Sequence, residues 1–332
     1  MPTVLQALNN ALYTCLDESE HVYFIGEDIL DPYGGAFKVA KGLSSAFPDR
    51  VVTTPVSEAG IVGLGVGMAV RGLRPVIEIM FGDFIALTAD QLINHAAKLR
   101  WMSGDVVRVP LVVRTPMGGR RGYGPTHSQT LEKHFIGAAG LRVLAVSDLD
   151  DPGLLLYKAV MEDDDPVLFI EHKLLYSCPV HPITDVDEYD IQSSGGRYPT
   201  YKLTVVGTPP PIITLVAYGY MAVLARRAVR DLAYKHEIFT ELIIPTQLSP
   251  FDPGPMIESL ASTKRLLTLE EGTRTLGWGA EVTAQAVESH VPGLFARRLA
   301  ALDMPIPAAG PLEEAVLPGE EDIVETVMEM IN

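Results

Sequence analysis

At 332 residues, with 47% hydrophobic and 20% charged side chains, the chain is long enough for two domains that each bury a core. Its formal net charge of −16 disfavours nucleic acid and anionic membranes as partners, because their phosphates would be repelled. The two cysteines, Cys15 and Cys178, lie outside any CxxC pattern, and no apolar run nears the roughly 20 residues a membrane span needs. With no basic segment leading into an apolar core at the N-terminus, the expectation is a soluble, cytoplasmic protein.

In chain order, Thr3 to Leu16 carries apolar residues at helical spacing, and His21 to Gly26 reads as a short buried strand. A turn cluster, Asp31 to Gly35, precedes a predicted helix from Phe37 to Phe47. Val51 to Val56 and Pro75 to Met80 read as strands around a helix from Ala59 to Val70. A helix from Phe84 to Arg100, a strand from Val109 to Arg114 and a long Gly-rich loop from Pro116 to Gln129 follow. Strands at Arg142 to Val146 and Pro166 to Glu171 flank a helix from Gly153 to Glu162. This alternation predicts α/β architecture, a parallel sheet covered on both faces.

The alternation breaks between Lys173 and Pro211, where prolines and the run Ser193-Ser-Gly-Gly196 accumulate. The predicted division is residues 1–178, a linker at 179–211, and 212–332. Beyond it lie strands at Ile212 to Ala217, Phe239 to Ile244 and Arg265 to Glu270. Helices are predicted at Met221 to Lys235, Pro255 to Thr263 and Trp278 to Ser289, with a last one near Glu321 to Ile331.

Two stretches carry chemistry. Thr54-Pro-Val-Ser-Glu-Ala-Gly-Ile-Val-Gly63 sets Glu58 between an apolar strand and a Gly-rich helix start. Desolvation there is expected to raise its pKa and suit it to passing protons near neutral pH, while a helix-capping carboxylate is the plainer reading. The loop Pro116 to Gln129 gathers Arg120, Arg121, Tyr123 and His127 at the end of a strand, where α/β proteins bind ligands. His127 is suited to proton transfer, and the two arginines to holding a carboxylate or phosphate. Gly63-Leu-Gly-Val-Gly67 lies inside a helix and fails the dinucleotide pattern, so its glycines read as close-packing residues. Phosphate-loop, zinc-protease and serine-hydrolase motifs are absent from the sequence.

Several segments in order resemble one family: Gly26-Glu-Asp, Tyr33-Gly-Gly, Phe47-Pro-Asp-Arg-Val, the Thr54 to Gly63 run, Gly72-Leu-Arg-Pro-Val-Ile-Glu, Asp90-Gln-Leu-Ile-Asn, His127-Ser-Gln and Asp163-Asp-Asp-Pro. Gly277-Trp-Gly-Ala-Glu281 and Pro311-Leu-Glu extend the match toward the C-terminus. The chain resembles the beta subunits of thiamine-diphosphate-dependent 2-oxoacid dehydrogenases, in the transketolase superfamily. The resemblance implies two doubly wound α/β domains, a pyrimidine-binding domain and a transketolase C-terminal domain. It also implies that Glu58 hydrogen-bonds N1′ of the cofactor's aminopyrimidine and favours the imino form that removes the thiazolium C2 proton. By the same resemblance Glu27, Val56 and Met80 line the cofactor, Phe84 packs on the pyrimidine, and His127 faces the substrate and an arriving lipoyl group.

Family alpha subunits hold magnesium and the diphosphate through a Gly-Asp-Gly segment and a later Asn, which this chain lacks. The resemblance therefore implies an α2β2 heterotetramer, a small 2-oxoacid or sugar substrate and a lipoyl acyltransferase partner. In some members potassium lies near the positions of Leu111, Val160, Met161, Asp163 and Asp165. The basic pair Arg120-Arg121 and Thr126 before His127 depart from the family pattern. They keep open ketol transfer or carboligation on an anionic substrate, and a structural subunit without catalysis stands as a further alternative.

Overall fold

The computed structural model describes residues 1–184 and 188–331. Residues 185–187, inside the expected linker, and residue 332 lie outside the described residues. Helix α1 (Val4–Glu18) begins at Thr3, whose hydroxyl accepts from the Gln6 N–H while the Gln6 side chain accepts from the Thr3 N–H. That reciprocal cap satisfies two donors that a helix start leaves free. Its buried stripe, including Leu8, Leu12 and Cys15, packs on helix α5 (Pro152–Met161).

The first half also contributes strands β1 (Val22–Gly26), β2 (Val51–Thr53), β3 (Arg74–Glu78), β4 (Val112–Met117), β5 (Arg142–Ala145) and β6 (Val167–His172). Between them lie α2 (Leu43–Ala46), α3 (Glu58–Val70) and α4 (Ala97–Met102). The second half supplies strands β7 (Tyr189–Ser193), β8 (Thr200–Val205), β9 (Ile213–Ala217), β10 (Thr240–Pro245), β11 (Gln247–Ser249), β12 (Arg265–Thr273) and β13 (Phe295–Ala301). Its helices are α6 (Gly219–His236), α7 (Gly254–Thr263), α8 (Trp278–Glu288), α9 (Gly310–Val316) and α10 (Glu320–Ile331).

Two sheets result. The first runs β11-β5-β6-β4-β3-β1-β2, parallel except where β11 joins β5 antiparallel. The second runs β13-β12-β9-β10-β8-β7, parallel through β10 and antiparallel at β8 and β7. Strands buried on both faces, such as β6 and β9, explain the largely apolar runs of the sequence.

The expected linker is corrected in one respect. Strands β7 and β8 fall inside 179–211 and form the antiparallel edge of the second sheet. Prolines and glycines mark the turns around this hairpin rather than an unstructured connection. The halves are further joined because β11, from the second, completes the first sheet. Trp278 of α8 is fully buried, and its indole N–H donates to the Leu248 carbonyl of β11 at 3.2 Å.

The helix expected over Phe37 to Phe47 shrinks to Leu43–Ala46, because Gly34, Gly35, Lys38 and Gly42 all take positive φ and turn the chain. The one expected over Phe84 to Arg100 runs from Gly82 to Met102 as a 3₁₀ turn, a π-helical turn and α4. Strand β4 starts at Val112 rather than Val109, beyond Pro110, which has no N–H for a ladder.

Candidate active site

Glu58 occupies the first turn of α3 and is 7% exposed. The Ser57 N–H beside it donates to Glu27 Oε1 at 3.3 Å, so the residue following β1 is tied to the start of α3. Glu27 is 8% exposed, and loss of hydration raises its pKa, with the neighbouring Glu58 charge adding to the rise. Two buried carboxylates thus share one end of the sheet, at the positive end of a helix. The strands there approach closely: a Cβ on Gly26 would stand 2.9 Å from the Glu78 carbonyl of β3, which explains glycine at the end of β1.

The second predicted residue, His127, lies in an aromatic cluster. Its ring meets Phe81 edge-on at 4.8 Å between centroids and Phe84 at 5.3 Å. Tyr123 meets Phe81 at 6.1 Å, and Thr126 Oγ1 lies 3.0 Å from His127 Nδ1. Phe81 precedes and Phe84 lies within the 3₁₀ turn Gly82–Thr88, which packs on α3 and so connects the aromatic cluster to the helix that begins at Glu58. Phe81, at the centre of this cluster, was not marked by sequence reasoning; its place between Met80 and Phe84 was the available signal. Met80 is half-buried two residues beyond β3, while Val56 stands 79% exposed.

The two arginines separate. Arg120 is drawn into the C-terminal domain, its Nε donating to Glu271 Oε2 at 3.1 Å and its terminal nitrogen to the Pro318 carbonyl at 2.6 Å. Arg121 is exposed and lies 5.7 Å from the centre of the Tyr123 ring. The substrate-binding pair expected from the loop therefore resolves into one arginine that ties two domains and one that faces solvent.

Lys173, fully buried, donates from Nζ to the Gly118 carbonyl at 2.6 Å and lies 5.5 Å from the Phe81 ring centre. Burial pushes its pKa down to about 8. Gly118 takes φ +89°, and a Cβ there would collide with the His172 ring, so glycine is required on both counts.

Beneath the site, Arg114 of β4 binds Glu78 of β3 and Glu171 of β6, joined by the Tyr176 hydroxyl. The acidic run is also matched by arginines: Asp163 pairs with Arg142, Asp164 with Arg74 and Arg108, and Asp165 with Arg100. The Val160 and Asp163 carbonyls, in the segment where a potassium was expected, accept from one guanidinium nitrogen of Arg74 at 2.9 and 2.8 Å.

The residues present fit one half of a thiamine diphosphate site. Buried carboxylates and aromatic rings suit the aminopyrimidine end, whereas Arg120 and Lys173 are already engaged within the chain. This fold and site define a transketolase-type protein. Residues 1–179 match the transketolase pyrimidine-binding domain, and residues 205–323 match the transketolase C-terminal domain. A solved structure titled "Split gene transketolase, inactive beta4 tetramer" shares the fold, with a TM-score of 0.73 at 19% identity over 99% of this chain and 97% of that one.

The pyruvate dehydrogenase E1 component subunit beta-1 (mitochondrial) of Oryza sativa is 38% identical over 97% of this chain and 84% of its own length. The 2-oxoisovalerate dehydrogenase subunit beta of Pseudomonas aeruginosa is 36% identical over 96% of this chain and 91% of its own. The chain belongs to the beta subunits of the thiamine-diphosphate-dependent 2-oxoacid dehydrogenases. Such relatives do not favour ketol transfer or a purely structural role. Among the described residues no helix is long and apolar enough to cross a membrane.

Proposed function

We propose that this chain supplies the proton-handling half of a 2-oxoacid dehydrogenase active site, completed by an alpha subunit that holds magnesium and the cofactor's diphosphate. The carrying observation is the buried Glu58 in the first turn of α3, coupled to Glu27 and backed by the aromatic cluster around His127. Thiamine diphosphate, when bound, supplies the electron sink for 2-oxoacid decarboxylation. Glu58 would hold the aminopyrimidine end of the cofactor and carry a proton at its carboxyl oxygen. Glu27 fixes the turn into α3 through the Ser57 N–H. Phe81 and Phe84 exclude water on two sides of His127, whose imidazole donates or accepts a proton at the substrate and receives the lipoyl acceptor.

The partner reading is supported by apolar side chains around the site that stand in solvent, Val56 at 79%, Leu87 at 59% and Leu64 at 52% exposed. An α2β2 assembly would cover such a face. The test is reconstitution with a candidate alpha chain, magnesium and thiamine diphosphate, reading carbon dioxide release from pyruvate and branched 2-oxoacids. Release is expected only with both chains present. A reconstituted complex that binds the cofactor tightly yet decarboxylates none of these acids would overturn the proposal.

A further inference from the structure

The segment Gly118 to Gln129 carries His127 on twelve residues, with positive φ at Gly118, Arg120, Gly122 and Gly124. Such a segment holds a side chain in place only where its backbone N–H groups are bonded to something rigid. At its C-terminal end the Gln129 N–H and side-chain amide both donate to Asp83 Oδ1, at 3.1 and 2.9 Å, and the Gly118 N–H closes onto the Gln129 carbonyl at 3.2 Å.

The other end is held from the C-terminal domain. The Gly119 N–H donates to Glu271 Oε1 at 2.7 Å. The Arg120 and Gly122 N–H groups donate to the two oxygens of Glu313 at 2.8 and 3.0 Å. Glu271 and Glu313 are 4% and 3% exposed, so each carboxylate depends on these donors for its solvation. Glu271 also meets His172 Nε2 at 3.2 Å; its pKa falls to about 2 because His172, Arg120 and the Gly119 N–H outweigh the effect of burial. Arg120, a non-glycine at φ +68°, is the strained residue at the centre of this grip.

We infer that Glu271 and Glu313 are positioning residues for His127. The C-terminal domain thereby enters the reaction, acting on the loop backbone without touching substrate. This rests on His127 acting at the site, and the test separates the two. In the reconstituted complex, Glu313→Gln replaces one acceptor oxygen with a donor and leaves one of two N–H groups without a partner. Glu271→Gln is the second variant, disturbing the Gly119 and Arg120 bonds.

Either variant is expected to lower kcat by about 10- to 100-fold, in line with the cost of misplacing a catalytic group by an ångström, while KM shifts by less than about threefold. Trypsin cleavage after the exposed Arg121 is expected to accelerate at least about tenfold, reporting a released loop, while the variants still fold with a melting temperature lowered by several degrees, more for Glu271→Gln, which takes the counter-charge from Arg120 and His172. If both folded variants keep cleavage and kcat within about twofold of the parent, the inference fails. Faster cleavage with unchanged kcat, where His127→Ala abolishes turnover, also overturns it. If His127→Ala itself leaves kcat unchanged, the reading of His127 is what fails, and the cleavage rates report the grip alone.

Discussion

Arg114→Met is the sharpest test of how the site is supported. Arg114 is 1% exposed and lies between Glu78, 6% exposed, and Glu171, 1% exposed, with Nε donating to Glu171 Oε1 at 2.7 Å. Methionine fills similar volume and removes the cation, leaving two buried carboxylates beside the Tyr176 hydroxyl. Stripping one partner from a buried ionic network costs about 3–5 kcal/mol. For a domain near this size each kcal/mol lowers Tm by about 2–4 °C, so a loss of about 6–20 °C is expected near pH 8. Burial already raises the Glu78 pKa, and without the opposing charge of Arg114 that carboxyl will take up a proton more readily, so the deficit should shrink as pH falls toward 5. Calorimetric melting of parent and variant across this range measures it. The triple change Arg114→Met, Glu78→Leu, Glu171→Leu should recover most of the loss, since matched apolar replacement of a buried ionic group is close to neutral. A single variant that melts within about 2 °C of the parent at pH 8 would refute the reasoning.

Three further outcomes are expected. Glu58→Gln should abolish decarboxylation in the reconstituted complex while leaving Tm within a few degrees, and hydrogen–deuterium exchange at the thiazolium C2 proton should slow; normal exchange would remove Glu58 from the proposed role. The chain by itself should bind thiamine diphosphate weakly, and calorimetry showing micromolar or tighter affinity without an alpha chain would contradict the half-site. Glu270 is fully buried and its pKa is raised to about 8 by burial and then by Glu132. A folded pKa above the unfolded one means that its contribution to stability is present at low pH and lost as pH rises through about 8. Glu270→Gln should therefore gain in Tm relative to the parent between pH 5 and pH 8, and parallel curves for the two proteins would exclude this.

Much of the fold was legible because strands buried on both faces leave predominantly apolar runs, as at Ile213–Ala217 and from Val167 to Ile170. Elements with mixed faces were harder to see. Strand β13 has mostly half-buried positions, and β7 alternates between half-buried and exposed polar residues, so neither stands out by hydrophobicity. The candidate site was open to reading wherever its residues sit in one local run, as the expected Glu58 and His127 do. It was illegible wherever function depends on residues distant in sequence. Arg120 looked like a free cation because its partners Glu271 and Pro318 lie 151 and 198 residues away. The adjacent pair Glu270-Glu271 at the end of an apolar strand was the available signal, since buried acids need partners.

The charges around the site support the proposal that a second chain holds the cofactor's diphosphate. Glu27 and Glu58 make the aminopyrimidine end negative, and the nearby cations do not oppose them freely. Lys173 bonds the Gly118 carbonyl, Arg120 bonds Glu271, and Arg114 is enclosed by Glu78 and Glu171. A diphosphate brought against this surface would gain no counter-charge from these three groups and would face repulsion from two carboxylates. The same carboxylates are useful only if the cofactor's polyanionic end is held away from them, by a metal and donors on another surface. On the proposed function, a second chain closing the face beside α3 would cover the exposed apolar Val56, Leu64 and Leu87 and exclude water from the site.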